Sequence, residues 1–501
     1  MRIAFVTPEF DSLVRRTNLG SAAEALAGAL DASGQDVRVL LPWTMDVDTD
    51  QLEALEEIAE VTVPDGPTAT ATVTVHRARL VRKDRQLDLE ILLLDNDRWF
   101  RTRHPYGDQE GPYADNWRRF ALLARAVLAA LPAVDFVPDV LHCMDWTTGL
   151  IPLFHTLEIE ADPDSPLVGV GTYFAIHNLA MQGQFEREVL PKIGIPHKYF
   201  RAIDGVELAG KVNYLKAGAE FGTILGTHSP GHAMKIQERD RGYGLETTFL
   251  RRKKELVGIH NGIDTQAWDP ATDTVLPQTF KASDKELTGK RKCKAALQAA
   301  LRLDNGPRTL LAASIGRWDA DSGFDLLSEI LTEVLERNVQ LVIMGQGDQE
   351  VRQRLQTMEG AFMGRLRVVE GYNAHTAHLM MAGADILLSP SHYQPSNPLF
   401  AIGMRYGVVP VVFAHSGLED TVHDYRADKR TGTGFHFDPY SSDGLVESLT
   451  SVIEAYKDAA KWKLLAKRCL NQDFSWKATA AEYLKAYRRV TRRAKGPLKS
   501  A

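Results

Sequence analysis

The chain has 501 residues, of which 44% are hydrophobic and 25% charged, and its formal net charge is -6. That length suits two or three domains with large cores, and the charge gives no support for nucleic-acid or anionic-membrane binding. Cys143, Cys293 and Cys469 are scattered without metal-ligand spacing, which fits a reducing compartment and argues against a metal site. The opening MRIAFVTPEF is an apolar strand too short for a secretory core, and no stretch reaches membrane-spanning length, so a cytoplasmic protein is expected.

Residues 2–7 carry a buried-strand pattern, followed by a loop to Gly20, an Ala-rich helix over 21–32 stopped by Gly34, and a strand over 37–41. This βαβ unit opens a doubly wound domain, so Glu9 and the segment 15–20 should border a ligand site at the strand C-termini. Strong alternation over 59–94 predicts a β-rich excursion, and 116–131 reads as helical. Further strands are predicted over 139–143, with His142, Asp145 and Trp146 at its end, over 168–176, ending in His177-Asn178, and over 223–228. A second strand series begins near Val257 and runs through 308–315, 340–344, 366–369, 385–389 and 408–413. The run 251–254 (RRKK) is either a hinge or a solvated face. An amphipathic helix begins at 474–476 and is expected to cross back to the first domain.

The expected architecture is α/β, with two Rossmann-like doubly wound domains over 1–250 and 251–473 facing each other across a cleft, and a C-terminal helix over 474–501. Within the second domain, the stretch 385–424 reads as strand, loop, helix, strand. Its loop 390–398 follows a strand C-terminus and precedes a helix, where free N–H groups can receive an anion. An ordinary surface connection is the other reading of that loop.

The runs HCMDWTTGLIPLF (142–154), YFAIHNLAMQGQF (173–185), NYLKAGAEFGTILGTHSPGHA (213–233), GYGLE (242–246), GIHNGIDTQAWDP (258–270) and FSWKATAAEYLKAYRR (474–489) resemble bacterial glycogen synthases and plant starch synthases, in the order that family has them. The resemblance implies a GT-B fold and retaining transfer of glucose from ADP-glucose, or another nucleotide sugar, to the non-reducing end of an α-1,4-glucan. It implies no cofactor and no metal; Arg, Lys and helix N-termini must then neutralise the leaving diphosphate.

By the same resemblance, His177 and Gln394 sit at the reacting sugar, with Arg15, Asn261, Arg317 and Tyr372 on the donor side and Tyr106, Asp145 and Trp146 on the acceptor side. Each has a plainer reading. His177 could be a capped or core histidine, Trp146 core, Tyr106 an exposed loop residue, Asn261 a turn former, Arg317 half of a surface salt bridge and Tyr372 a core tyrosine.

Four departures fall on the donor machinery. The family's Lys-x-Gly-Gly loop aligns with Arg15-Arg16-Thr17-Asn18, which keeps the charge and loses both glycines; β-branched Thr17 is expected to suit that backbone poorly. The second diphosphate lysine aligns with Ser322, the loss of which typically costs about 2–4 kcal/mol of transition-state stabilisation, or roughly 30- to 1000-fold in rate. The glutamate of Glu-Pro-Cys-Gly-Leu becomes Gln394, and Gly-Leu becomes Asn397-Pro398, whose proline has no N–H to offer. Either the donor pocket has been rebuilt, with Arg15, Arg16 and Arg317 taking the charge, or the chain is a synthase-like protein with a glucan-binding or regulatory role.

Overall fold

The structure is a computed structural model and describes residues 1–394 and 398–495. It contains two compact units, Met1–His260 joined by the C-terminal segment from Trp476, and Asn261–Ser475.

In the first unit the strands of the main sheet are β1 (Arg2–Val6), β2 (Asp36–Pro42), β3 (Leu52–Pro64), β4 (Thr70–Arg82), β5 (Leu87–Asp95), β6 (Val140–Met144), β7 (Gly171–Ile176), β8 (Ile224–Thr227) and β9 (Leu256–Gly258). They form one nine-stranded sheet in the order β9-β8-β7-β6-β1-β2-β5-β4-β3. From β9 to β5 every pairing is parallel; β4 and β3 add an antiparallel hairpin at one edge. The sequence explains the split. Strands β6 and β7 are unbroken apolar runs buried along their whole length, as a parallel sheet covered on both faces requires, whereas β4 alternates buried and exposed residues. One prediction is corrected here. Residues 256–258 do not open the second series; β9 pairs with β8 as the edge strand of the first sheet.

Helix α1 (Asn18–Ala32) starts at Thr17, whose hydroxyl accepts the Leu19 N–H at 3.1 Å. The C-terminal helix Trp476–Ala494 belongs to this unit and lays Tyr483 and Tyr487 on the sheet. Tyr487 Oη lies 2.6 Å from His142 Nδ1, and the His142 ring stacks on Phe5 at 4.3 Å. His142 is thus a core residue of β6.

The second unit holds β10 (Leu310–Trp318), β11 (Val339–Gly347), β12 (Leu366–Glu370), β13 (Ile386–Ser389), β14 (Val409–Phe413) and β15 (Phe435–Phe437). The six strands are all parallel, in the order β12-β11-β10-β13-β14-β15. Lys294 reaches Asp385 at 2.6 Å, and the same carboxylate accepts the Leu311 N–H at 2.9 Å, tying helix Thr288–Ala300 to the strand starts. Among the described residues no helix is long and apolar enough to cross a membrane.

Candidate active site

Strand order reverses between β1 and β6 in the first sheet and between β10 and β13 in the second, and loops leaving C-terminal ends at such points are where open α/β sheets bind ligands. In the first unit the loops after β1, β6 and its neighbour β7 carry Glu9, Asp145 and His177.

Glu9 is fully buried. Its Oε2 accepts the N–H groups of Arg16 and Thr17, both at 2.7 Å, while its Oε1 accepts the Thr17 hydroxyl at 2.9 Å and the Tyr106 hydroxyl at 2.5 Å. Thr17 is extended, with φ -134°, and no residue of 15–18 has positive φ. The expectation that Thr17 suits this loop poorly is therefore corrected. The turn has been rebuilt around a buried carboxylate and a hydroxyl cap, without a left-handed glycine. Arg15 remains largely exposed, 3.2 Å from Asp11, and Arg16 turns to Asp46. Tyr106 is half-buried, so it is no exposed loop residue; burial, reinforced by Glu9, pushes its hydroxyl well above the ordinary tyrosine range and keeps it a donor.

Asp145 has φ 57° and ψ -173°, a backbone region essentially reserved for glycine. It is held there from both sides. Its N–H donates to Ala175 O at 2.9 Å, and its carbonyl accepts the Thr148 N–H at 3.1 Å and hydroxyl at 3.0 Å. The reward for that conformation is the placement of the carboxylate, whose Oδ1 accepts the backbone N–H of His177 at 2.7 Å and of Asn178 at 3.3 Å. Burial pushes the Asp145 carboxyl up to about 7, against the pull of these two N–H groups and with Glu9 adding to the rise.

The His177 backbone is thus fixed by Asp145, and its ring Nδ1 is buried with no partner among the described residues. Burial lowers the ring to about 4, so it is a neutral imidazole at ordinary pH. Trp146 resolves toward its plainer reading. It is 9% exposed, meets Phe120 edge-on at 4.8 Å, and lies so close to Gly183 that a Cβ there would come within 2.2 Å of its ring. Trp146 is core that supports the Asp145 turn.

In the second unit Arg317 is the next-to-last residue of β10, which ends at Trp318, and β13 ends at Ser389. Arg317 is exposed and pairs with Asp319, Nε to Oδ2 at 2.7 Å, which is the surface salt bridge named as its alternative. Asp319 also accepts the Ser322 N–H at 2.8 Å, a role the sequence reading missed. The two loops touch, since the Ser391 hydroxyl donates to Ser322 O at 3.3 Å. A Cβ on Gly323, at φ +74°, would lie 2.3 Å from Pro390 O. Gln394 is half-buried; its N–H donates to Ser416 O at 2.7 Å and its Oε1 accepts the Ser389 hydroxyl at 3.1 Å. Pro398 begins helix Pro398–Arg405. Asn397 lies outside the described residues. Tyr372, after β12, is 65% exposed and so not a core tyrosine. Asn261 Oδ1 is buried with no partner among the described residues. Each unit therefore gathers its own part of the predicted set. Glu9, Tyr106, Asp145 and His177 form one cluster, while Ser322 and Gln394 lie on touching loops, with Arg317 near the end of the strand that leads into the first of them. No group of three His, Cys, Asp or Glu side chains able to hold a metal occurs among the described residues.

Residues 2–251 match the family described as starch synthase catalytic domain, and residues 298–468 that described as glycosyl transferases group 1. Along nearly the whole chain the protein is 37% identical to a glycogen synthase of Anaeromyxobacter sp. strain Fw109-5, over 490 residues covering 97% of this chain and 99% of that one. The chain belongs to the glycogen and starch synthase family. A glycogen synthase of Geotalea daltonii is 35% identical over 98% of this chain and 99% of its own length. Among solved structures, the catalytic domain of starch synthase IV from Arabidopsis thaliana, bound to ADP and acarbose, superposes with a TM-score of 0.78 at 27% identity, covering 98% of this chain and 99% of that chain. Sucrose-phosphate synthase from Thermosynechococcus elongatus, at 14% identity and a TM-score of 0.54, covers 97% of this chain and 98% of its own and shares the fold alone. The two parallel-sheet units are those of the GT-B glycosyltransferase fold of this family.

Proposed function

We propose that this glycogen and starch synthase family member is a working retaining glucosyltransferase that moves glucose from ADP-glucose to the non-reducing end of an α-1,4-glucan in the cytoplasm. The observation that carries the reading is the Asp145–His177 arrangement. A buried carboxylate on a strained backbone at the sheet's switch point fixes the histidine main chain at the end of the neighbouring strand and leaves a neutral ring whose Nδ1 has no partner among the described residues. Backbone strain and a raised carboxyl pKa are expensive to stability, and they mark sites kept for chemistry.

In this reading the His177 main chain and ring face the reacting sugar. Asp145, an acceptor-side residue by resemblance, is taken in this reading to supply negative charge above its raised pKa of about 7 as positive charge gathers at the anomeric carbon, and Gln394 binds a sugar hydroxyl through its amide. Arg317 exchanges Asp319 for the diphosphate, and by the family resemblance Arg15 is a second cation for it; both side chains are largely exposed. Asn261 offers its unpartnered oxygen to the donor, Tyr372 packs on the base, and Tyr106 lies on the acceptor side. A rebuilt first loop, unstrained without glycine, supports an adapted donor pocket. The competing reading, a glucan-binding relative without turnover, draws on the missing charges at Ser322 and Gln394. Incorporation of labelled glucose into glycogen from ADP-glucose and from UDP-glucose separates the two. Transfer from ADP-glucose is expected; retention on glycogen with no incorporation from either donor would reject the enzyme.

A further inference from the structure

The run GTHSPGHA places a second histidine next to His177. Thr227, the last residue of β8, pairs in register with Ile176 at the end of β7, so His228 stands beside His177 one step beyond the two strand ends. The Thr227 hydroxyl donates to Ile176 O at 3.0 Å, fastening the tips together. That hydroxyl has spent its one proton, so its contact with His232 Nδ1 at 2.6 Å requires the imidazole to donate. His232 is also anchored through its N–H, which donates to Ser229 Oγ at 2.9 Å. On this fixed ring His228 lies stacked, centroid to centroid 4.0 Å at 24°. Its own Nδ1 is buried and meets no partner among the described residues. Burying a ring nitrogen without a partner is destabilising, and such an atom in a strand-tip loop calls for a ligand.

The chemistry of the ring selects which part of a ligand. Burial, with His232, His177 and His260 adding repulsion, holds His228 well below the ordinary histidine range, so it is uncharged. A diphosphate seeks cations and donors. A sugar hydroxyl both donates and accepts, and a neutral imidazole nitrogen matches it. We propose that His228 is a sugar-contacting specificity residue, its Nδ1 hydrogen-bonding a hydroxyl of the transferred glucosyl unit beside His177. This rests on the glucosyltransferase reading above and adds a contact to the same site.

The test compares calorimetric titrations of the full chain with ADP and with ADP-glucose, alongside kcat and KM for glucose transfer. His228→Leu should weaken ADP-glucose by about 10- to 100-fold while ADP stays within about twofold, because only the sugar contact is lost. His228→Asn, which places a polar atom near Nδ1, should recover most of that loss; His228→Gln, which reaches toward Nε2 instead, should not. The Asn and Gln pair decides the matter if the leucine variant fails to fold. Equal losses for ADP and ADP-glucose, no change for either, or equal behaviour of Asn and Gln would each overturn the assignment. If the unaltered protein binds both ligands and transfers nothing, the transferase reading falls, while the contrast between ADP and ADP-glucose still decides the role of His228.

Discussion

Asp145→Asn exposes what the site withholds from stability. The asparagine keeps the Oδ1 that accepts the His177 and Asn178 N–H groups at 2.7 and 3.3 Å, and it removes only the charge. In the folded chain the Asp145 carboxyl titrates at about 7 rather than its ordinary 3.8, chiefly through burial. A shift of about three units corresponds to about 4 kcal/mol. The folded state holds this proton more tightly than the unfolded one, so the penalty is absent below the ordinary carboxylate pKa. It grows as pH rises and is complete above the raised value. Between about pH 5 and about pH 8 the wild-type chain should therefore lose about 2–3 kcal/mol relative to Asp145→Asn. Urea unfolding followed by tryptophan fluorescence at both pH values reads the difference directly. The variant should be the more stable protein at the higher pH, and it should transfer glucose more slowly, having lost the negative charge beside the reacting centre. Stability curves that run parallel for the two proteins from acid to mild alkali would refute the reasoning, since the carboxyl would then carry no burial penalty.

Thr17→Gly should lower stability by about 1–2 kcal/mol in thermal unfolding, because it deletes the helix cap and the Glu9 contact at a position that needs no positive φ. A gain in stability would show that the loop wants glycine after all. Tyr487→Phe leaves His142 Nδ1 buried and unmatched and should destabilise the first unit by about 1–3 kcal/mol without altering KM for either substrate. The double variant Gln394→Glu with Ser322→Lys should leave kcat/KM for ADP-glucose no better than wild type if the pocket has been rebuilt; a rise of tenfold or more would indicate a site merely stripped of its charges.

Much of this arrangement could be read before any coordinates. Buried parallel strands announce themselves as short apolar runs, and the residues at or just past their C-terminal ends, Glu9, Asp145, His177 and Arg317, stand where a doubly wound sheet puts its ligand loops. Failures came where the answer depends on neighbours in space. Leu256–Gly258 is too short for its sequence to say which sheet it joins; its pairing with β8 decides that. Trp146 follows a site residue in sequence yet points into Phe120 and the Gly183 backbone. Thr17 reads as unfit in the sequence because the family has glycine in that loop, whereas a buried carboxylate eight residues earlier supplies a different solution. The placement of His228 beside His177 emerges only from the register of β7 and β8, which brings residues 51 positions apart side by side.

Titration calorimetry of the purified chain with ADP tests most directly whether a pocket lacking one lysine and one carboxylate still holds a nucleoside diphosphate. Saturable one-to-one binding is predicted, weakened about tenfold or more by Arg317→Ala, as expected for a charge-assisted contact to phosphate. Absence of heat with either ADP or UDP, in a preparation that still binds glycogen, would contradict the account.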